Sequence, residues 1–206
     1  MEPIGIMILH ELVGLNEHHP VYQALDVANR KTQLNFLKSL VDAALGSHTP
    51  FLSQTVIKAL NFHAIGCLHA HAGQYRPCEV EVGDYAPPEH FRVATLMDDM
   101  VNRVNRSWTE TDPIELDAFV LWRINHIHPF VNGNGRTARA ACYFVLCAHG
   151  GQWIAGDSIL PELLREAPLR DKYIEALRDA DQTNGLQPSI SVITEVLLIQ
   201  LSGSER

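Results

Sequence analysis

Apolar residues recur along most of this chain at the spacing of amphipathic helices. Over residues 21–45 they fall close to the 3.6-residue helical period, and Gly46 follows the pattern at once. A second stretch of the same kind runs from Ser53 to Ala72, with Gly73 after it. We therefore predict two amphipathic helices in the first third of the chain.

The second half of the chain contains further helical patterns. Pro87-Pro88 precedes one that runs to about Trp108, in which Phe91 is expected to face inward. Asp112 and Pro113 are a typical N-cap and first helical residue for the strongly apolar run Ile114–His126, which we expect to be the central helix. The remaining predicted helices cover residues 136–149, 160–167, 169–181 and 188–201.

One segment alternates with a period of two. Glu79-Val80-Glu81-Val82 alternates polar and apolar residues, and Gly83-Asp84 follows, which indicates a short β-hairpin ending near Tyr85. Neither an internal repeat nor a low-complexity block divides the chain. The pattern predicts an all-α fold with one small hairpin, formed by a single domain over residues 21–206 and preceded by an N-terminal arm, residues 1–20.

Composition and charge narrow the range of partners. The chain has 206 residues, of which 46% are hydrophobic and 19% charged, and 24 acidic against 16 basic residues give a net charge of −8. Such a chain is a poor general binder of nucleic acid, so we expect no nucleic-acid partner. The apolar run Ile4–Leu9 is too short for a signal peptide or a membrane span. The 4 cysteines form no C-x-x-C pair, and we expect a cytoplasmic protein with reduced, mostly buried thiols.

Histidines are frequent in the arm and near the second predicted helix, where they raise the question of a metal site. On that helix, His69 and His71 cannot share the face of His63 and Cys67, and no acidic ligand joins them. The histidines of the arm show no ligand spacing. We interpret both groups as packed, capping or solvated side chains, those of the arm being His10, His18 and His19.

The most informative stretch is HPFVNGNGRTAR, residues 128–139. Proline at 129 keeps His128 out of a helix. In Gly133-Asn134-Gly135 the backbone can turn sharply and a ligand can approach the amides. If a helix starts near Gly135, Arg136 and Arg139 lie on one face of its first turn. Free amides, the helix dipole and two guanidinium groups together form an anion site beside an imidazole that can accept a proton near neutral pH.

This combination indicates chemistry on a phosphorylated compound. A phosphate cradle with an adjacent base favours attack on the bound phosphate by a hydroxyl that the base activates. The stretch is not a Walker A loop, which needs Lys and then Ser or Thr after its second glycine. The alternative is a glycine turn that caps a helix with solvated arginines, and the conjunction of features argues against it. The residues alone leave open which nucleotide is bound and which phosphorus is attacked.

The same stretch resembles the signature of Fic-domain proteins, H-x-F-x-[D/E]-G-N-G-R-x-x-R. Every specified position matches except Asn132, where the family usually has an acidic metal ligand. Upstream, AGQYRP and VEVGDYAPPEH resemble the helix end and β-hairpin flap that precede the motif in that family. The resemblance covers about residues 52–164, with the C-terminal helices continuing to 201, and it implies a Fic-type helical domain with the flap before the active-site loop.

The resemblance implies a protein adenylyltransferase that moves AMP from ATP to a Ser, Thr or Tyr hydroxyl of a protein target. It makes His128 the base, Phe130 the anchor of the loop, and Mg²⁺, or Mn²⁺, the metal ion, bound weakly or through water at Asn132. It assigns the anion hole to Gly133, Asn134 and Gly135, the outgoing phosphates to Arg136 and Arg139, and the target segment to the flap residues Glu79, Val80, Glu81 and Val82.

Several alternatives stay open. A relative with the same loop could transfer phosphate or phosphocholine, or remove AMP, and a nucleotide-binding module with catalysis weakened by Asn132 is a further candidate. We expect no membrane partner, and a homo-oligomer is compatible with the sequence. Fic proteins often carry an inhibitory [S/T]-x-x-x-E-[G/N] helix, whose glutamate pairs with the second motif arginine. Ser191 and Glu195 fit it but Val196 does not, so we favour a solvated glutamate.

Overall fold

In the computed structural model, residues 9–47 and 51–203 are described, and they form an all-α fold. Within these ranges the backbone has nine α-helices and no β-strand, which confirms the predicted fold class. A short 3₁₀ turn, His90–Arg92, precedes the fourth helix. The helices are α1 Leu9–Leu12, α2 Pro20–Ser47, α3 Gln54–Ile65, α4 Val93–Arg106, α5 Pro113–Ile127, α6 Asn134–Gly150, α7 Leu160–Leu163, α8 Leu169–Thr183 and α9 Gln187–Gly203.

The helical hairpin of α5 and α6 forms the centre of the fold, as the apolar run of residues 114–126 predicts. Asp112 caps α5, since its Oδ1 accepts the N–H of Ile114 at 2.8 Å, and Pro113 occupies the first turn. Ile124 and Tyr143, one from each helix, are completely buried. A short loop of residues 128–133 joins the two helices, and it contains the histidine and the first glycine of the motif.

The other helices surround this hairpin on three sides. Helices α2 and α3 pack on α6, helix α4 packs on α5, and α8 and α9 pack together against α5, while α7 bridges α6 and α9. One hydrophobic core runs through all of these contacts. None of the helices in the described ranges has the length and apolar character needed to cross a bilayer.

The N-terminal arm packs on the turn that follows α3. The backbone amides of Leu9 and His10 donate hydrogen bonds to the carbonyls of Cys67 and Leu68, at 3.2 and 3.1 Å. Residues 1–8 of the predicted arm lie outside the described residues. The arm from residue 9 onward is therefore attached to the helical domain beside the motif loop, and the division at residue 20 stays a prediction.

Helix α3 ends at Ile65, so the prediction of a helix continuing to Ala72 is wrong. Gly66 leaves the helical conformation with ψ 134°, and Cys67 and His71 adopt left-handed backbone conformations with φ of 62° and 58°. The carbonyl groups released by this unwinding find other partners. The carbonyl of Gly66 accepts the side-chain amide of Asn29 at 2.9 Å, and the next two carbonyls accept the arm. Tertiary hydrogen bonds override the helical pattern here.

Two predictions around residues 79–108 also need correction. The helix expected after Pro87-Pro88 begins only at Val93, and Phe91, expected to face inward, is 72% exposed because it lies in the preceding 3₁₀ turn. The predicted hairpin is reduced to one isolated bridge between Val82 and Tyr85, with the Tyr85 amide 2.9 Å from the Val82 carbonyl. The flap is therefore a tight turn with extended flanks.

The cysteines differ in their burial. Cys142 and Cys147 are buried in α6, whereas Cys67 and Cys78 are exposed, and all four are free thiols. The expectation of mostly buried thiols holds only for the pair on the central helix. The exposed pair lies on the irregular segment between α3 and α4, where the sequence pattern wrongly suggested a longer helix.

Candidate active site

His128 lies directly after α5 in a left-handed backbone conformation, with φ 51° and ψ 58°. Its N–H donates to the carbonyl of Ile124 at 2.9 Å, which ends the helix and turns the chain into the loop. Burial lowers the pKa of its imidazole, so the ring is neutral at pH 7. Nδ1 lies 3.4 Å from the carbonyl of Asn125. With the proton on Nδ1, Nε2 has a lone pair that can accept a proton from a substrate hydroxyl.

Arg76 holds the loop and the flap together. Its side chain is completely buried, and its Nε donates to the carbonyl of His128 at 2.9 Å. Its backbone amide donates to the carbonyl of Pro129 at 2.8 Å, and its Nη1 donates to Oε2 of Glu79 at 3.1 Å. Further bonds reach the carbonyls of Cys78 and Pro88. Sequence reasoning assigned no role to Arg76, although a lone arginine in AGQYRP is the kind of residue that becomes buried only when several acceptors surround it.

Phe130 and Asn134 fix the middle of the loop. Phe130 is completely buried, with its ring centroid 5.7 Å from that of Tyr75. The side chain of Asn134 is turned back toward Phe130, where Oδ1 accepts its N–H and Nδ2 donates to its carbonyl, both at 2.8 Å. The side-chain amide of Asn134 is therefore engaged within the loop. Its backbone N–H is the group that stays available to a ligand.

Gly133 is required by both conformation and packing. Its φ is +75°, and a Cβ at this position would lie 2.7 Å from Cγ2 of Ile65 and 3.2 Å from Nδ2 of Asn61. Asn61 is completely buried and donates to the carbonyl of Asn132 at 3.0 Å and to Oγ1 of Thr137 at 3.2 Å. Sequence reasoning missed Asn61, whose signal was a polar residue within the apolar pattern of α3.

The first backbone amides of α6 have no hydrogen-bond acceptor within the helix. Gly133 is the N-cap and has no side chain to cap them, and the first helical hydrogen bond runs from Thr137 N to the carbonyl of Gly133 at 2.9 Å. The amides of residues 134–136 precede that bond. These amides and the positive end of the helix dipole suit an anion, and the anion site itself stays a prediction from the glycine motif.

The two motif arginines have different surroundings. Arg136 pairs with the buried carboxylate of Asp26, with Nη1 at 2.5 Å from Oδ1, and also donates to the carbonyl of Ala64 at 3.0 Å. The guanidinium group of Arg139 lies beside the glycines, because a Cβ on Gly135 would be 3.2 Å from its Nη1. Its Nε donates to the carbonyl of Pro161 at 3.2 Å. Arg139 is thus next to the anion site, whereas Arg136 is held against α2.

A basic cavity of about 220 Å³ adjoins these arginines between α2, α6 and α7. Both motif arginines line it, and Glu162 adds one carboxylate. The sequence did not indicate its other basic residues, which come from elements far apart along the chain. These are Arg30, Lys31 and Arg165. The chain is acidic overall, yet five of its 16 basic residues line this one cavity next to the motif.

Asn132 contacts a carboxylate from the arm. Its Nδ2 donates to Oε1 of Glu17 at 3.1 Å, and its Oδ1 accepts Nη2 of Arg136 at 3.3 Å. An acidic group is therefore present next to position 132, although it comes from a residue more than 100 positions away in the sequence. The sequence of the arm gave no indication of this contact.

The flap residues alternate in exposure as the sequence pattern does. Val80 and Val82 are half-buried, whereas Glu79 and Glu81 are exposed. Oε1 of Glu79 lies 2.7 Å from Nδ1 of His90, and this hydrogen bond is the main reason that the pKa of Glu79 is lowered to about 2. The side chain of Glu79 is thus held in place by its hydrogen bonds with His90 and Arg76.

The candidate inhibitory residues of α9 are engaged away from the motif. Oε1 and Oε2 of Glu195 lie 2.6 and 2.8 Å from Nζ of Lys172 on α8. Oγ of Ser191 donates to the carbonyl of Gln187 at 2.9 Å. Glu195 therefore has a partner other than Arg139, in agreement with the solvated interpretation that the sequence favoured.

Comparison with known proteins shows what this chain is similar to. The profile of the Fic/DOC family matches residues 51–146. "Protein adenylyltransferase Fic" of Drosophila melanogaster is 29% identical over 124 residues, which cover 60% of this chain and 23% of that protein. The protein of the same name from Aedes aegypti is 23% identical over 175 residues, covering 84% and 33%. This chain thus spans about a quarter to a third of the length of these curated relatives.

Solved structures agree in fold. The structure of Fic-1 from C. elegans has a TM-score of 0.68 and 24% sequence identity, and the alignment covers 87% of this chain and 49% of that one. A Fic-domain-containing signaling protein from Bacteroides thetaiotaomicron has a TM-score of 0.63 and 21% identity, with coverage of 87% and 69%. The shared helical arrangement extends well beyond the motif loop.

Proposed function

Because this chain is a Fic domain protein, we propose that it transfers AMP from ATP to a serine, threonine or tyrosine hydroxyl of a protein. The observation that carries the proposal is the juxtaposition of the neutral imidazole of His128 with the uncapped N-terminus of α6. The names of the Drosophila and Aedes relatives support the choice of AMP as the transferred group. We place the reaction in the cytoplasm, where ATP is available and exposed thiols stay reduced.

In the proposed reaction, Nε2 of His128 accepts the proton of the target hydroxyl. The hydroxyl oxygen then forms a bond to the α-phosphorus of ATP, and the bond from that phosphorus to the bridging oxygen of pyrophosphate breaks. Backbone amides at Gly133, Asn134 and Gly135 stabilise the negative charge that builds on the α-phosphate. The products are the AMP-modified protein and pyrophosphate.

We assign the outgoing phosphates to the basic side of the site. Arg139 lies beside the glycines and offers a guanidinium group to the β-phosphate or γ-phosphate. Arg136 serves the same end of the nucleotide once a phosphate takes the place of the carboxylate of Asp26. The cavity lined by Arg30, Lys31 and Arg165 continues in that direction and attracts the polyphosphate electrostatically.

The flap residues Glu79, Val80, Glu81 and Val82 are the proposed contact for the protein target. An extended peptide would lie along this segment and use its backbone amides and carbonyls, as in strand addition. Arg76 bonds both to this segment and to the carbonyl of His128, so it would hold a docked hydroxyl in register with the base.

The residues around the loop fit a resident magnesium ion poorly. Mg²⁺ prefers anionic oxygen ligands, but position 132 offers a neutral amide oxygen that already accepts a hydrogen bond from Arg136. The adjacent carboxylate of Glu17 bonds to the amide nitrogen of the same residue. The proposed reaction therefore needs no metal ion held by the loop, and any divalent cation would enter with the nucleotide phosphates.

Intact mass spectrometry tests the proposal. The full chain is incubated with each nucleoside triphosphate and a divalent cation, alone and with a panel of candidate target proteins. We expect a mass increase of one AMP group with ATP, which His128→Ala abolishes and the exposed His18→Ala leaves unchanged. Transfer of a phosphate group instead, or the same AMP transfer by His128→Ala, would overturn the proposed reaction.

A nucleotide-binding module with weak catalysis is a second candidate. Asn132 in place of an acidic residue and the commitment of Arg136 to Asp26 both favour it. Such a module would bind ATP and gain about 2.7 kcal/mol of stability at 100 times the dissociation constant, without turnover. Thermal unfolding with and without ATP, combined with the mass measurement, separates the two functions.

A further inference from the structure

Three potential metal ligands meet where the arm crosses the turn after α3. The ring centroids of His10 and His69 are 4.5 Å apart, and Nε2 of His69 lies 3.5 Å from Oε1 of Glu17. One ligand atom from each of the three side chains lies within 4.8 Å of the other two. Two of these residues come from the arm and one from the turn, so the sequence spacing that reveals many metal sites is absent.

We propose that His10, Glu17 and His69 bind a divalent transition metal ion of the zinc class. Two imidazole nitrogens and one carboxylate oxygen form a donor set that suits Zn²⁺, with water in the fourth position, and that suits Mg²⁺ poorly because Mg²⁺ prefers oxygen ligands. The proposal does not rest on the proposed nucleotide chemistry, because none of the three ligands belongs to the motif loop.

Small movements of exposed side chains bring the three ligands to metal distance. Metal bonds of about 2.0–2.2 Å in a tetrahedral site place ligand atoms roughly 3.4 Å apart. Glu17 and His69 already meet that spacing, at 3.5 Å. The side chain of Glu17 is 48% exposed and can rotate, while that of His69 is 9% exposed and gives the site a fixed ligand.

The surroundings of His69 keep it ready to bind. The hydroxyl of Tyr22 lies 2.7 Å from Nε2 and holds the ring in place. A metal ion bound to Nε2 would replace this hydrogen bond with a coordination bond. The hydroxyl of Tyr22 would then be free to bond to the metal-bound water.

Metal binding at this position would fasten the arm to the helical domain. At present two backbone hydrogen bonds attach Leu9 and His10 to Cys67 and Leu68. A metal ion would add a link between the same two segments. The metal ion would also bind the carboxylate of Glu17, which accepts a hydrogen bond from Asn132. Occupancy of the metal site would therefore change a contact of the motif loop.

Calorimetric titration of the nucleotide-free full chain with Zn²⁺ measures the site directly. We expect one equivalent to bind, a higher unfolding temperature, and at least a 10-fold loss of affinity in His10→Ala and in His69→Gln. The exposed His18→Ala, in the same arm, should bind like the wild type. Co²⁺ should give visible absorption bands without the near-ultraviolet band of thiolate ligation, which excludes Cys67 and Cys78 as ligands.

The outcomes that overturn the proposal are equally direct. Unchanged Zn²⁺ affinity in a folded His10→Ala variant would show that the three residues do not act as ligands. Stoichiometric binding with a thiolate spectrum would place the metal on the exposed cysteines. His10 is on the arm and its removal leaves the helical core intact, so this variant decides the matter even if His69→Gln fails to fold.

Discussion

The imidazole of His128 combines two properties expected of a catalytic base. It is neutral because burial lowers its pKa, and its backbone is fixed by Arg76 and by the end of α5. We predict that His128→Ala lowers AMP transfer by at least about 10²-fold, the typical loss on removing a general base, while the affinity for ATP stays within a few-fold. Single-turnover rates and ATP titrations measure the two quantities separately. Activity within a few-fold of the wild type would exclude this role.

Position 132 tests whether a carboxylate in the loop improves metal-assisted transfer. Asn132→Asp restores an anionic ligand, so we expect faster Mg²⁺-dependent transfer at low Mg²⁺ concentration. The new carboxylate would face Glu17, which bonds to the present amide, and the like charges would repel. The double variant with Glu17→Gln should therefore gain more than Asn132→Asp alone. Equal rates for all three proteins across a Mg²⁺ titration would contradict this account.

Asp117 is a carboxyl group inside the core, and it should make stability depend on pH. Burial raises its pKa to about 7, so between about pH 4 and 7 the folded protein holds a proton that the unfolded chain has released. The free energy of unfolding should therefore fall as pH rises, by up to about 1.4 kcal/mol per pH unit, and the penalty is complete above pH 7. Asp117→Asn removes the penalty.

Urea denaturation at pH 5 and pH 8 tests the prediction for Asp117. The gain in stability from Asp117→Asn should be larger at pH 8 than at pH 5. The exposed Asp42→Asn is the matched control and should change stability little at either pH. A gain that is equal at both pH values would mean that Asp117 does not titrate in this range.

The sequence predicted the local conformation of the motif loop where short-range preferences decide it. The positions of His128 outside α5 and of the glycines at the start of α6 follow from such preferences, whereas the buried position of Phe130 was expected only from the family resemblance. Asn61 and Arg76 could not be predicted, because each becomes important only through acceptors brought together from distant segments. A single sequence does not contain that information in any local pattern.

At the scale of elements, the packing of the loop on α3 depends on Gly133. Gly133→Ala places a Cβ 2.7 Å from Ile65 in a backbone conformation with φ +75°. Gly151→Ala introduces nearly the same conformational strain, at φ +73°, in open space. We predict that Gly151→Ala destabilises by about 1–2 kcal/mol and Gly133→Ala by a further 1–3 kcal/mol from overpacking. Chemical denaturation measures both, and equal losses would show that the loop can move away from α3.

Helix α9 is predicted to be a structural element without inhibitory function. Glu195 pairs with Lys172 at the surface, and such exposed pairs contribute about 0–1 kcal/mol. Glu195→Gln should therefore change stability by less than about 1 kcal/mol and leave transfer and ATP affinity unchanged. Lys172→Gln is the matched control and should behave alike. A rise in activity and ATP affinity in Glu195→Gln alone would restore the inhibitory interpretation of Ser191 and Glu195.

The elements themselves were predicted with uneven success. Helices α2, α5, α6 and α8 follow from apolar periodicity and capping residues, because each buries one face or is buried all round. The predicted end of α3 was wrong, since its last carbonyls bond to Asn29 and to the arm. The flap pattern was correct in its alternation of exposure, but two short segments without a third strand form only one bridge.

For the whole molecule, charge and topology act together. The net charge of −8 opposes the binding of anionic ligands at long range, whereas the basic cavity beside α6 favours it locally. Arg30 reaches this cavity from α2, and Arg165 reaches it from the segment just after α7. The two arginines are more than 130 residues apart in the sequence. Overall composition could not show that the fold gathers basic residues at one place, and the expectation of no nucleic-acid partner stays a prediction.

The ion pair between Asp26 and Arg136 places a carboxylate of the protein itself on one of the two motif arginines. Under the proposed function, a phosphate that binds Nη1 of Arg136 would displace this carboxylate, so nucleotide binding would be an exchange between two anions. Asp26 also holds Arg30 on the same helix, and its release would leave that arginine free to turn toward the incoming phosphates. Helix α2, which has no motif of its own, would thus respond to each cycle of loading and release of the nucleotide.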